Sequence, residues 1–198
     1  MNFVAFFSYV FLTTITPGPN NIVSMSTANL YGLRKGMAFV FGTFLGLIII
    51  MLSAATFSSI LYEKMPVAKK ILPIIGAGYL LYLAYHTWRN QPSKEREIPS
   101  SKNLIGKGFL LQFVNVKVIL YAITIWSTYI LPFYSDFTVL AAFFVFLILA
   151  GTTAVSIWAV LGSSLKVFMS KYEKQVNIVM VLGLLYCALA VLMTAFGS

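Results

Sequence analysis

Six long apolar stretches, separated by charges and prolines, constrain this chain more than any other feature of its sequence. They run approximately over residues 3–31, 37–62, 67–87, 104–131, 138–165 and 176–196. Each is long enough to cross a hydrocarbon layer about 30 Å thick, which takes roughly 20 helical residues. A helix satisfies its own backbone groups inside lipid. The sequence therefore predicts an all-α polytopic membrane protein with six transmembrane helices.

The composition excludes an ordinary soluble domain. Only 10% of the residues are charged and 60% are hydrophobic, whereas a soluble domain has about 25% charged residues. The net charge of +9 would suit nucleic acid, but the basic residues lie between apolar runs. We therefore expect a lipid bilayer as partner and no nucleic acid. We expect one transmembrane domain over residues 1–198, with halves of about 1–88 and 104–198 and a cytoplasmic linker of about 89–103.

The basic residues also predict an orientation. If both termini lie outside, most Lys and Arg residues fall in cytoplasmic loops: Arg34, Lys35, Arg89, Lys94, Arg96, Lys102, Lys107, Lys166, Lys171 and Lys174. The outer loops then hold only Lys64, Lys69 and Lys70, and Lys117 lies within a stretch. The positive-inside rule therefore favours both termini outside.

The first stretch contains the motif Thr16-Pro17-Gly18-Pro19-Asn20-Asn21. Two prolines remove two amide donors and glycine adds freedom, so we expect the first helix to be broken at Pro17-Gly18-Pro19. Irregular backbone at membrane depth is tolerated where it is buried in protein or lines a wet cavity. The motif therefore predicts a site for a small zwitterion. A packing kink or a short external turn is the alternative.

The fourth stretch contains Gln112-Phe113-Val114-Asn115-Val116-Lys117. A lysine near the bilayer centre costs about 3 kcal/mol or more unless it is paired or hydrated. Lys117 is thus a candidate to pair with a substrate carboxylate or to titrate, and the alternative is that it snorkels to the cytoplasmic interface. Asn115 and Lys117 do not share a helix face, so both reach one site only if the helix is distorted.

Other kinds of site find little support in the sequence. No Asp or Glu lies inside a stretch, which argues against a carboxylate proton relay and against a cage for a basic substrate. Cys187 is the one cysteine, and no Ser/His/Asp set, phosphate loop or metal-ligand spacing occurs. We therefore expect neither an enzyme nor a bound metal or cofactor. A membrane enzyme and a non-transporting partner subunit are the rival classes.

Two patterns concern packing. Residues 80–84 are echoed by residues 184–188, and a duplicated unit of three helices inserts in opposite orientations, as a 3+3 inverted repeat. Gly42 and Gly46 predict close helix packing, either within the fold or between subunits of a homo-oligomer. Aromatic residues near stretch ends, such as Trp126 and Tyr129, are interpreted as interfacial anchors.

At these residues the sequence resembles the LysE/RhtB family of bacterial amino-acid exporters. Residues 16–20 match its first-helix signature, and residues 32–36 with Gly42 and Gly46 resemble the pattern that follows. The fourth-helix motif of the family is usually Asn-Pro-Lys. Here it is Asn115-Val116-Lys117, which removes the proline and gives this helix less reason to break. Residues 111–117 and 185–188 resemble the branch that exports cysteine and O-acetylserine.

The resemblance implies a six-helix exporter in the bacterial inner membrane that discharges small amino acids, driven by the proton gradient. We hypothesise export of small neutral amino acids, above all cysteine and O-acetylserine. Homoserine, threonine or a basic amino acid is the alternative substrate. The candidate substrate-binding residues are Pro17, Gly18, Pro19, Asn20, Asn21, Gln112, Asn115 and Lys117. The asparagines would hydrogen-bond the substrate and Lys117 would balance its carboxylate.

Overall fold

All regular structure in the described part of the chain is helical. The computed structural model describes residues 1–64 (backbone alone from residue 57) and 100–164, together with some helical positions within 74–88 and 175–189. The continuous segments contain α1 (Phe3–Ile15), α2 (Pro19–Tyr31), α3 (Leu33–Lys64), α4 (Ser101–Val114), α5 (Val116–Thr124), a π-helical segment (Ile125–Ile130) and α6 (Phe137–Ser164). The helical expectation is confirmed for these residues.

Two of these helices are long and apolar enough to cross a membrane, Leu33–Thr56 and Phe137–Ser164. A third crossing results if the bent pair Ser101–Val114 and Val116–Ile130 counts as one. Much of the third and sixth stretches, and the linker up to residue 99, lie outside the described residues. The six-helix count and the inverted repeat therefore remain predictions.

Two X-Pro steps explain why the first stretch forms two helices. A residue before proline avoids the α conformation because the proline ring clashes with its backbone. Thr16 accordingly has ψ 140°, and Gly18 has φ −154° and ψ 174°. Pro19 then stands in the first turn of α2, where its missing N–H costs no helical hydrogen bond. The chain is extended between α1 and α2. That the pair forms one interrupted crossing stays a prediction.

The fourth stretch is broken at Asn115, although no proline follows it. Here α4 and α5 meet with a bend of 59°. Asn115 is extended, with φ −83° and ψ 90°, and its carbonyl accepts hydrogen bonds from the amides of Val118 and Ile119. Asparagine favours such a helix-starting position. The missing proline therefore does not keep this helix straight, and the distortion needed to bring Asn115 and Lys117 to one site is present.

Glycines allow α3 and α4 to pack with their backbones nearly in contact. A Cβ atom on Gly42 would lie 2.0 Å from the carbonyl oxygen of Ile105, and one on Gly46 would lie 2.6 Å from Cγ of Gln112. Both glycines of the predicted pattern thus face α4 within the fold. This close approach places the polar side chain of Gln112 against α3.

The largest hydrophobic cluster formed by the described residues joins α1, α3, α5, the π-helical segment and α6. Its buried members are Phe6, Val10, Leu47, Met51, Ala54, Tyr121, Ala122, Ile125, Trp126, Ile130, Leu147 and Ile148. Trp126 is only 1% exposed, so its interpretation as an interfacial anchor is wrong. Tyr129 packs against the same cluster. The cluster holds α1, α3, α5 and α6 around the helix breaks, and α2 packs against α3 and α6.

Candidate functional site

A cavity lined by both polar and aliphatic side chains lies where the two helix breaks meet. Its volume is about 60 Å³, several times the roughly 10–15 Å³ that one water molecule requires. The predicted site residues that line it are Gly18, Pro19, Asn20, Asn21, Gln112, Asn115 and Lys117. Pro17 is exposed and is not one of the lining residues. The structure therefore brings together all the predicted residues except Pro17.

The carbonyl oxygen of Thr16 links the two breaks. It accepts a hydrogen bond from Nζ of Lys117 at 2.8 Å and another from Nδ2 of Asn21 at 3.0 Å. Asn21 Nδ2 also donates to the Thr14 carbonyl at 2.9 Å. The carboxyl end of a helix carries partial negative charge, which stabilises a cation there. Lys117 thus links α5 to the carboxyl end of α1. The amide nitrogen of Asn21 donates both of its hydrogen bonds within the protein.

Gly18 leaves the space that the Lys117 side chain occupies. A Cβ atom on Gly18 would lie 3.1 Å from both Cδ and Nζ of Lys117, tighter than ordinary van der Waals contact. The backbone of Gly18 is extended, a conformation that any residue adopts. Glycine is therefore needed here for close approach rather than for backbone freedom. The absence of a side chain at Gly18 lets the Lys117 ammonium group lie beside the cavity.

Asn20 and Gln112 join α2 to α4 inside the protein. Asn20 Nδ2 donates to Oε1 of Gln112 at 3.2 Å, and the two residues are 8% and 1% exposed. An unpaired buried polar group costs about 1–3 kcal/mol, so this bond stabilises both amides and fixes their orientation. Gln112 therefore positions Asn20 at the cavity.

The long helix α6 braces the broken first stretch on both sides of the break. Trp158 Nε1 donates to the carbonyl of Ile15, the last residue of α1, at 3.1 Å. Ser24 of α2 donates through its hydroxyl to the carbonyl of Val155 at 3.1 Å. The Ile15 carbonyl is at a helix end and has no partner within α1, so the Trp158 side chain satisfies it from α6. The break is thereby held in one arrangement.

Lys117 is the one charged side chain among the described lining residues, and none of those residues is a carboxylate. The rest of the lining is amide, hydroxyl and aliphatic. A cation with neutral hydrogen-bonding groups suits a small ligand that carries a carboxylate and no net positive charge, because a second cation would meet like charge. No group of three metal-binding side chains occurs in the described ranges.

Several polar residues that line the cavity were not among those predicted from the sequence. They are Thr13, Thr14, Thr43, Tyr121 and Thr152. Threonine and tyrosine are common in apolar stretches, so the residue type alone does not identify these side chains as part of a site. One signal was available, because Tyr121 lies four residues after Lys117 and shares its helix face.

Comparisons with known proteins agree with this picture. The family model described as LysE type translocator matches residues 11–196. Proteins of Escherichia coli K12 and of Shigella flexneri serotype 5b, each named cysteine/O-acetylserine efflux protein, are 36% identical to this chain over 187 residues. The match covers 94% of this chain and 95% of each relative. No solved structure matches the chain.

Proposed function

This chain belongs to the LysE type translocator family, and from that membership we propose that it exports small neutral amino acids across the membrane. The relatives named cysteine/O-acetylserine efflux protein support cysteine and O-acetylserine as the main substrates. Both the family and these relatives are transporters rather than enzymes. We propose that the transport is secondary and is driven by the proton gradient, as the resemblance to the LysE/RhtB exporters implies.

The observation that carries the proposal is the charge of the cavity. Its described lining holds one cation, Lys117, and no carboxylate. A neutral amino acid places its carboxylate near that cation and has no second positive charge to compensate. A basic amino acid would bring an extra cation with no anionic partner in this lining. Export of basic amino acids is therefore the less favoured alternative.

The proposed substrate site is the cavity between the two breaks. Gly18 and Pro19 keep the backbone open, Asn20 and Asn115 hydrogen-bond the substrate, and Lys117 balances its carboxylate. Gln112 and Asn21 position these groups through the bonds described above. Pro17, which is exposed, acts by keeping Thr16 out of the helix. The proposed effect of Pro17 on the substrate site is therefore indirect.

The proposed setting is the bacterial inner membrane, with six crossings, both termini outside and two inverted halves. The second helix of each broken stretch packs against the long helix of the other half: α2 contacts α6 and α5 contacts α3. These matching contacts support the proposed two-fold relation between the halves. Rocking of the halves about the cavity would then give alternating access. A homo-oligomer is compatible with this arrangement.

Reconstitution of the purified protein alone in liposomes tests the function. We expect saturable flux of labelled cysteine and O-acetylserine, accelerated by an imposed pH gradient, with little flux of lysine. Homoserine and threonine in the same panel test the alternative substrates. Absence of flux for every amino acid would favour a non-transporting partner subunit, and flux without saturation would favour a channel.

A further inference from the structure

Four buried polar atoms on the wall of the cavity have no hydrogen-bond partner among the described residues. They are Asn20 Oδ1, Asn115 Oδ1, the hydroxyl of Tyr121 and Oγ1 of Thr152. Asn20, Asn115 and Tyr121 are 8%, 3% and 4% exposed. Buried polar atoms in folded proteins nearly always have partners. Four exceptions around one cavity therefore leave hydrogen-bonding capacity that a ligand can use.

The chemistry of the four atoms divides them into two pairs. An amide oxygen can only accept a hydrogen bond, and Asn20 is held in this orientation because its nitrogen already donates to Gln112. A hydroxyl can donate. The cavity thus offers two acceptors and two donors. A zwitterionic amino acid needs acceptors for its ammonium group and donors for its carboxylate.

Tyr121 lies on the same helix face as Lys117, the one cation of the described cavity lining. It lies four residues after Lys117 on α5, so the two side chains share one helix face and both line the cavity. Thr152 reaches the same cavity from α6. The Lys117 ammonium donates to the Thr16 carbonyl, which leaves the two hydroxyls as donors with no partner in this part of the chain.

We propose that Tyr121 and Thr152 are substrate contacts that donate hydrogen bonds to the carboxylate of the transported amino acid, while the oxygens of Asn20 and Asn115 accept from its ammonium group. This assignment rests on the proposed function. It adds Tyr121 and Thr152 to the binding site and gives each end of the substrate its own partners.

The test combines two variants with two ligands. Tyr121→Phe and Thr152→Val remove one hydroxyl each at nearly constant volume. Binding of cysteine and of cysteamine, which lacks the carboxylate, is measured by competition with labelled cysteine on the purified protein. We expect each variant to weaken cysteine binding about tenfold and to leave cysteamine binding unchanged. The matched controls, Tyr134→Phe and the exposed neighbour Thr153→Val, should bind both ligands as the unmodified protein does.

Thermal unfolding separates this role from a structural one. A hydroxyl without a partner contributes no bond to the fold, so both variants should keep the melting temperature or raise it. Wild-type cysteine binding by both variants would overturn the assignment while the exporter function stands. Equal weakening of cysteine and cysteamine would overturn the carboxylate role. Failure of the unmodified protein to transport any amino acid would instead overturn the proposed function.

Discussion

At the scale of single residues, Lys117 is the side chain whose structural and functional roles can be separated. Its ammonium group donates to the Thr16 carbonyl, but Asn21 donates to the same oxygen. Removal of the lysine therefore leaves the Thr16 carbonyl oxygen with Asn21 as its partner. The substitution also removes the one charge in the described lining of the cavity.

We therefore expect Lys117→Met to abolish amino-acid efflux, with at least a tenfold fall, and to change the free energy of unfolding by less than about 1 kcal/mol. The measurements are flux in proteoliposomes and thermal unfolding of the purified protein. Lys107→Met is the matched control, because Lys107 is exposed on α4. Wild-type flux in Lys117→Met would show that the cation does not serve the substrate.

Single residues of the cavity differ in whether their role can be predicted from the sequence. Lys117 could be found because an isolated charge in an apolar stretch is costly wherever the helices pack. Tyr121 and Thr152 could not be found in this way. Each is unremarkable in its own helix and becomes part of the cavity only when α5 and α6 pack around the breaks. The use of Asn21 on the end of α1 likewise depends on how the chain folds back after the break.

At the scale of elements, the break between α1 and α2 is the most local feature of the fold. The X-Pro steps set ψ of Thr16 and the conformation of Gly18 without help from distant contacts, and for that reason the break position follows from sequence. The break at Asn115 is different. No single residue type forces it there, and its 59° bend accompanies the packing of α4 on α3 and of α5 in the central cluster.

We expect Pro17→Ala to keep the protein in the membrane and to abolish export. Alanine removes the restriction on Thr16, so α1 can continue past Ile15 and turn the Thr16 carbonyl away from Lys117 and Asn21. Membrane fractionation with an efflux assay measures both outcomes. Pro132→Ala, at an exposed turn outside the cavity lining, should export normally. Normal efflux by the Pro17 variant would mean that the break does not depend on this proline.

The contact between α3 and α4 gives a stability prediction. In Gly42→Ala the new Cβ would lie 2.0 Å from the Ile105 carbonyl oxygen, so the helices must separate. We expect a loss of about 3 kcal/mol in unfolding free energy. Gly106→Ala is the matched control, since a Cβ there meets nothing within 4 Å, and it should stabilise α4 by about 1 kcal/mol. Equal melting temperatures for the two variants would contradict the close packing.

At the scale of the whole molecule, the distribution of basic residues is what predicts the orientation, since the described helices carry no information about it. The proposed arrangement, with six crossings and both termini outside, places the residues near Lys94 in the cytoplasm. An alkaline phosphatase fused after Ser198 should therefore be active, and one fused after Lys94 should be inactive. Fusions of green fluorescent protein at the same two points should show the reverse. An inactive phosphatase after Ser198 would overturn the orientation or the count of crossings.

The shared oxygen of Thr16 has a mechanical consequence for any exporter built in this way. Motion that draws the two interrupted helices apart has to release the Lys117 ammonium from that oxygen, yet Asn21 keeps the oxygen paired throughout. The Lys117 ammonium can then move from the Thr16 carbonyl to the carboxylate of the incoming substrate. The Thr16 carbonyl is not left without a partner, because Asn21 still donates to it. One exchange of partners would couple loading to movement.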